Sequence, residues 1–150
     1  MRYWEDFEVG HEAVHGSHAI TEEEIVAFAR EYDPQPFHLD PEAAAASPFG
    51  GLIASGWHTA AIYMGLYVRN GMNDVAGMGS PGVEELRWLA PVRPGDTLTA
   101  QSRVVDAWPS ETDPGRGTMV GENELVNQDG VVVMRFRARM HLRRRPRENG

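Results

Sequence analysis

An α+β domain, with helices on one face of an antiparallel sheet, is predicted by three features of this 150-residue sequence. Helical patterns dominate its first half, and strand patterns separated by turn residues dominate the second. One helical stretch, SGWHTAAIYMGLYVRN from Ser55 onward, is apolar on nearly every side and so belongs in the middle of a domain. A helix of that kind needs a wrapper, and a strongly curved sheet folded around it supplies one.

The elements follow in order. Met1 to Gly16 reads as an acidic, extended arm anchored by Tyr3, Trp4 and Phe7, with a short strand at Ser17–Ile20. Thr21 followed three residues later by Glu24 is a capping-box pattern, and Ile25, Phe28, Ala29 and Tyr32 then recur at helical spacing. Pro34 ends that helix at Asp33. Residues 33–40, DPQPFHLD, hold two prolines in eight positions and are expected as a stiff loop rather than a regular helix. Pro41–Ala46 forms a short helix and Ser47–Gly51 a turn. Ser55 caps the apolar helix, and Gly56 lies in its first turn. Strands are predicted at 83–89, 97–107 and 118–126. Asn127-Gln128-Asp129-Gly130 marks a hairpin. In the last strand Val132, Met134, Phe136, Ala138, Met140 and Leu142 alternate with Arg135, Arg137, Arg139 and His141. Residues 143–150 are expected to fray. No repeat or linker divides the chain, so 1–150 reads as one domain with a flexible N-terminal edge and an arginine-rich C-terminal tail.

Composition removes several chemistries. There is no cysteine, hence no disulfide, thiolate nucleophile or cysteine-ligated metal. All fourteen basic residues are arginine, so neither a Schiff-base lysine nor a phosphate-loop lysine is available. The net charge of -8 disfavours general nucleic-acid binding. Charge is uneven: residues 1–134 hold 21 acidic residues and 7 arginines, whereas 135–150 hold 7 arginines and one acidic residue. No apolar run reaches membrane-spanning length and no signal peptide opens the chain, which makes cytoplasmic residence the expectation.

Two constellations carry chemistry. Asp33 and His38 share the stiff loop, where a carboxylate and an imidazole can hold water and exchange protons; equally, they can cap and fill a polar turn. Gly56, at a helix start, permits close ligand approach and offers a free N–H to a developing oxyanion, although a packing glycine has the same local sequence. His58 reads as a hydrogen-bonded core residue, and Tyr63 and Tyr67 as packing. His38, Asp40 and Glu42 lack a metal-ligand spacing. The series Arg135, Arg137, Arg139 is either a solvated sheet face or a set of phosphate contacts, helped by Arg143, Arg144 or Arg145; Arg87 and Arg93 raise the same question.

The run YDPQPFHLDPEAAAASPFGGLIASGWHT, residues 32–59, resembles the MaoC-like acyl dehydratase family, which includes the (R)-specific enoyl-CoA hydratases. The resemblance rests on Asp33, Pro36, His38 and Asp40 at the family's spacing, followed by Ile53-Ala54-Ser55-Gly56 entering the apolar helix. LRWLAPVRPGDTL at 86–98 extends it, so that it covers roughly residues 5–142. It implies a hotdog fold, a curved antiparallel sheet wrapped around the helix from Gly56 to about Val68. It implies homodimers or higher homo-oligomers, and a coenzyme A thioester as substrate with no metal or redox cofactor. It also implies that Asp33 and His38 activate water for addition to an enoyl thioester while Gly56 N–H holds the thioester oxygen. Gln35 stands where the family usually has asparagine and Ser55 where it commonly has histidine. With Trp57, these are taken as substrate contacts that restrict the acyl group. A hotdog thioesterase and a non-catalytic acyl-thioester-binding protein are the alternatives.

Overall fold

The computed structural model describes residues 1–147. Five strands form one antiparallel sheet, β1 (Glu12–Ala19), β2 (Val83–Trp88), β3 (Thr97–Pro109), β4 (Arg116–Val126) and β5 (Val132–Arg143), in the order β1-β3-β4-β5-β2. The helices precede β2: α1 (Glu22–Tyr32), α2 (Pro36–Leu39), α3 (Pro41–Ala45) and α4 (Gly56–Tyr67). A single π turn, Val68–Met72, continues α4.

Local sequence accounts for the helix ends. Thr21 Oγ1 accepts the Glu24 N–H at 3.2 Å while Glu24 accepts the Thr21 N–H at 2.7 Å, closing the capping box. Ile25 and Ala29 are the buried face of α1. Residues 33–40 depart from the expected loop, because Pro36 occupies the first position of α2, where a missing N–H costs nothing. That turn buries His38. Asp40 then caps α3 by accepting the Glu42 N–H at 3.0 Å.

The curved wrap is corrected. The sheet is open, with β1 and β2 as its two edges, and α4 lies against one face of it. Tyr63 and Leu66 of α4 join Leu98, Ala100, Leu125, Val133, Met134 and Phe136 in the main core. On the other side of the same helix Trp57, Met64 and Val68 are exposed, so this chain alone does not enclose α4. Uniform apolarity showed that both sides of the helix are hydrophobic, not that one sheet covers both.

Two ends also differ from expectation. The N-terminal arm contains a 3-10 turn at Trp4–Asp6, and β1 begins at Glu12. Trp4 Nε1 donates to Thr118 O at 2.9 Å, and Arg2 pairs with Asp74 at 2.7 Å. Arg143 belongs to β5, while Arg144 and Arg145 pair with Glu5 and Asp6 at 3.1 and 2.6 Å. Of the segment expected to fray, 148–150 lie outside the described residues.

Candidate active site

Asp33 ends α1 and His38 sits in α2, so a separation of five residues places both groups in the lining of one cavity. Asp33 Oδ2 is 3.3 Å from His38 Nε2. The opposite ring nitrogen, His38 Nδ1, is 2.6 Å from Ile53 O. A carbonyl only accepts, which assigns the proton to Nδ1 and leaves a lone pair on Nε2 of the neutral ring. The edge of His38 packs against Phe37, their ring centroids 4.6 Å apart, and the imidazole is 4% exposed. It is thereby oriented by a backbone bond behind and an aromatic wall beside it.

Two donors hold the Asp33 carboxylate, and His38 stands beside it. Ser55 Oγ donates to Oδ2 at 2.7 Å, Gln35 Nε2 donates to Oδ1 at 2.7 Å, and His38 lies next to Oδ2. Partial desolvation alone raises the carboxyl pKa, but the hydrogen bonds from Ser55 and Gln35 outweigh it and hold Asp33 below its ordinary value. Asp33 is accordingly an ionised acceptor at neutral pH.

The cavity, about 450 Å³, is lined by Asp33, His38, Gly56, Trp57, Thr59 and Trp88 among others. Gly56 begins α4, and its N–H has no hydrogen-bond acceptor among the described residues. An ionised acceptor, an imidazole lone pair and an unpaired helix-start donor therefore face one space. Together they can take a proton from water and stabilise negative charge on a carbonyl oxygen.

Of the residues expected as substrate contacts, Trp57 lines the cavity and is 60% exposed, whereas Gln35 and Ser55 spend their donors on Asp33. Arg135, Arg137 and Arg139 alternate with Met134, Phe136 and Ala138, which face α4, and none of the three arginines lines the cavity. Arg137 donates to Glu122 at 2.8 Å, and Arg139 lies 3.7 Å from Glu84 and over the Trp108 ring. His58 is buried and stacked on Phe28, but its Nδ1 has no partner. Sequence reasoning missed Trp88, whose indole covers Gly56. In register with Met134 of β5, it lies on the core face of β2, a placement that follows from strand pairing and has no local sequence signal. Among the described residues, no group of three or more His, Asp or Glu side chains is arranged to hold a metal ion, and no helix is long and apolar enough to cross a membrane.

Residues 7–126 match the family described as MaoC like domain. The chain belongs to that family. The crystal structure of a MaoC-like dehydratase from Rhodospirillum rubrum superposes with a TM-score of 0.92 at 44% identity, covering 98% of this chain and 100% of that one. The (R)-hydratase of A. caviae, described as involved in PHA biosynthesis, gives a TM-score of 0.71 at 28% identity over 91% and 97% of the two chains. A 3-hydroxybutyryl-CoA dehydratase of Methylorubrum extorquens is 32% identical over 140 residues, 89% of this chain and 83% of the relative. Across its curated MaoC-like relatives, this chain spans as little as 29% of the other protein's length.

Proposed function

We propose that this MaoC-like protein reversibly adds water to a trans-2-enoyl-CoA, giving the (R)-3-hydroxyacyl-CoA. The observation that carries the reading is the convergence of Asp33 Oδ2 and His38 Nε2, 3.3 Å apart, on a cavity that also contains the unpaired Gly56 N–H. The names of the (R)-hydratase and the 3-hydroxybutyryl-CoA dehydratase support the reaction class, and that of the (R)-hydratase the facial preference.

In the proposed reaction, a water donates one hydrogen bond to Asp33 and the other to the Nε2 lone pair of His38, leaving an oxygen lone pair for C3 of the enoyl group. As the C3–O bond forms, His38 takes the water proton. The C2–C3 π electrons move toward the thioester, and Gly56 N–H receives the negative charge developing on its oxygen. The imidazolium then returns its proton to C2. Dehydration is the reverse.

The proposal extends to assembly and location. The exposed apolar side of α4 and the β2 edge, with Trp57, Met64, Val83 and Trp88, support a homodimer in which a second copy covers that face. The coenzyme A class of substrate supports action in the cytoplasm. The deciding experiment incubates the protein with short, medium and branched trans-2-enoyl-CoAs and analyses products by mass and chirality. The (R)-3-hydroxyacyl-CoA is expected; free coenzyme A without hydrated thioester would identify a thioesterase instead, and binding with no product a non-catalytic thioester-binding protein.

A further inference from the structure

We propose that Ser55 is a positioning residue, whose single hydroxyl locks the Asp33 carboxylate to the first turn of α4. This rests on the reading of Asp33 as the group that holds the reacting water. Ser55 is fully buried at 0% exposure. Its one hydroxyl proton goes to Asp33 Oδ2 at 2.7 Å, and its oxygen accepts the Trp57 N–H at 3.3 Å. Its backbone carbonyl accepts from Thr59 N at 3.0 Å and from Thr59 Oγ1 at 3.3 Å. No side-chain donor is left over for a substrate.

The geometry joins two helix ends that are 22 residues apart in sequence. Asp33 is the residue that closes α1, and Ser55 is the cap that opens α4. The hydroxyl therefore fixes the distance between the acceptor of the reacting water and the Gly56 N–H, the next residue along. Gln35 holds the other carboxylate oxygen from the solvent side at 2.7 Å. With both oxygens held, the carboxylate cannot rotate away from His38. The direction of both bonds also favours the ionised form, because each group donates to Asp33. A residue with no hydroxyl at position 55 leaves a partly buried carboxylate oxygen short of a donor and the helix start without its cap.

The test compares wild type, Ser55→Ala and Gln35→Leu. Carboxyl NMR titration of Asp33 in the substrate-free protein reads the clamp without reference to turnover, so it stands even if no enoyl thioester is hydrated. Ser55→Ala is expected to raise the Asp33 midpoint. The acid limb of kcat/KM should move up with it, and kcat should fall about tenfold or more while KM changes by less than about twofold. Gln35→Leu, an exposed site, is expected to move the same quantities in the same direction by less; if Ser55→Ala fails to fold, Ser55→Thr, which keeps the hydroxyl, and Ser55→Gly, which removes it while retaining an acceptable cap residue, carry the comparison, with the Asp33 midpoint raised only in Ser55→Gly. A cap without a positioning role would lower the melting temperature of Ser55→Ala and leave its Asp33 titration unmoved; that result overturns the proposal. Retained kcat with a raised KM in Ser55→Ala would also overturn it, by making Ser55 a substrate contact.

Discussion

The indole of Trp88 lies directly on Gly56. Its Nε1 donates to Gly56 O at 2.9 Å, and a Cβ built on residue 56 would fall inside the contact distance of the ring. The sequence motivates this glycine by ligand approach. The structure adds a second reason, close packing of a strand side chain on a helix start. Gly56→Ala is therefore expected to destabilise the protein by about 1–3 kcal/mol through overpacking. It should also reduce turnover about 100-fold by displacing the unpaired N–H at the cavity lining. In a Trp88→Ala background the same substitution should cost less stability. Additive penalties in a double-mutant cycle, measured by urea unfolding, would separate the two residues.

Asp33→Asn and His38→Gln test proton handling. Each keeps approximate size while removing the charge or the titrating lone pair, so kcat should fall about 10²- to 10⁴-fold with smaller changes in KM. Steady-state kinetics on one enoyl-CoA checks this, and wild-type kcat in either variant contradicts the assignment. Asp40→Asn should behave differently, since Asp40 caps α3 and does not line the cavity. Its expected effect is on stability, with kcat preserved within a few fold.

What could be read in the sequence was local. Asp33, Pro36 and His38 lie within six positions, and Thr21 with Glu24 specify their helix start within four, so spacing alone brings those groups together. The Ser55–Asp33 bond and the Trp88–Gly56 contact span 22 and 32 residues and depend on how α1, α4 and β2 pack. The alternation of β5 correctly separated the arginines from the core face, but the partner of Arg137 is set by cross-strand register with Glu122. Trp57, Met64 and Val68 misled because the apolarity of a helix face does not say what covers it.

Two buried histidines give stability a pH dependence. Burial pushes His15 below its ordinary 6.5, with the charges of Arg2 and His11 acting the same way. Burial also lowers His58, helped by His18 and opposed by Glu24. In the window below 6.5 the unfolded chain binds protons that the folded chain refuses, so stability is full above that value and falls as pH drops through it. Asp33, held below 3.8, adds a further loss only at lower pH. Urea unfolding at about pH 7.5 and about pH 5.5 should show the decline. His58→Phe, which keeps the stack on Phe28 and removes the unpartnered Nδ1, should flatten it. An unchanged slope in that variant would remove His58 from the account.

Of Arg135, Arg137 and Arg139, Arg135 alone forms no ion pair among the described residues. Arg137 already donates to Glu122, which also receives Arg103, and Arg139 is shared between Glu84 and Trp108. Arg135 instead stands in register with Arg87 of β2, and neither forms an ion pair among the described residues. Like charges directly opposite on neighbouring strands repel, while Glu124 of β4, in register with Arg135 on its other side, supplies part of the countercharge; a bound anion adds to it. Arg87 also precedes Trp88, whose ring lines the cavity from the other face of the strand. Bidentate guanidinium contacts suit a coenzyme A phosphate at this pair. Arg135→Gln and Arg87→Gln should each raise KM for an enoyl-CoA about three- to tenfold and weaken its dependence on salt, whereas Arg137→Gln should change it by less than about twofold. The control is an enoyl thioester truncated to lack the phosphates. Its KM should be unaffected by either variant; an equal rise for both substrates would show that the arginines act on the cavity rather than on phosphate.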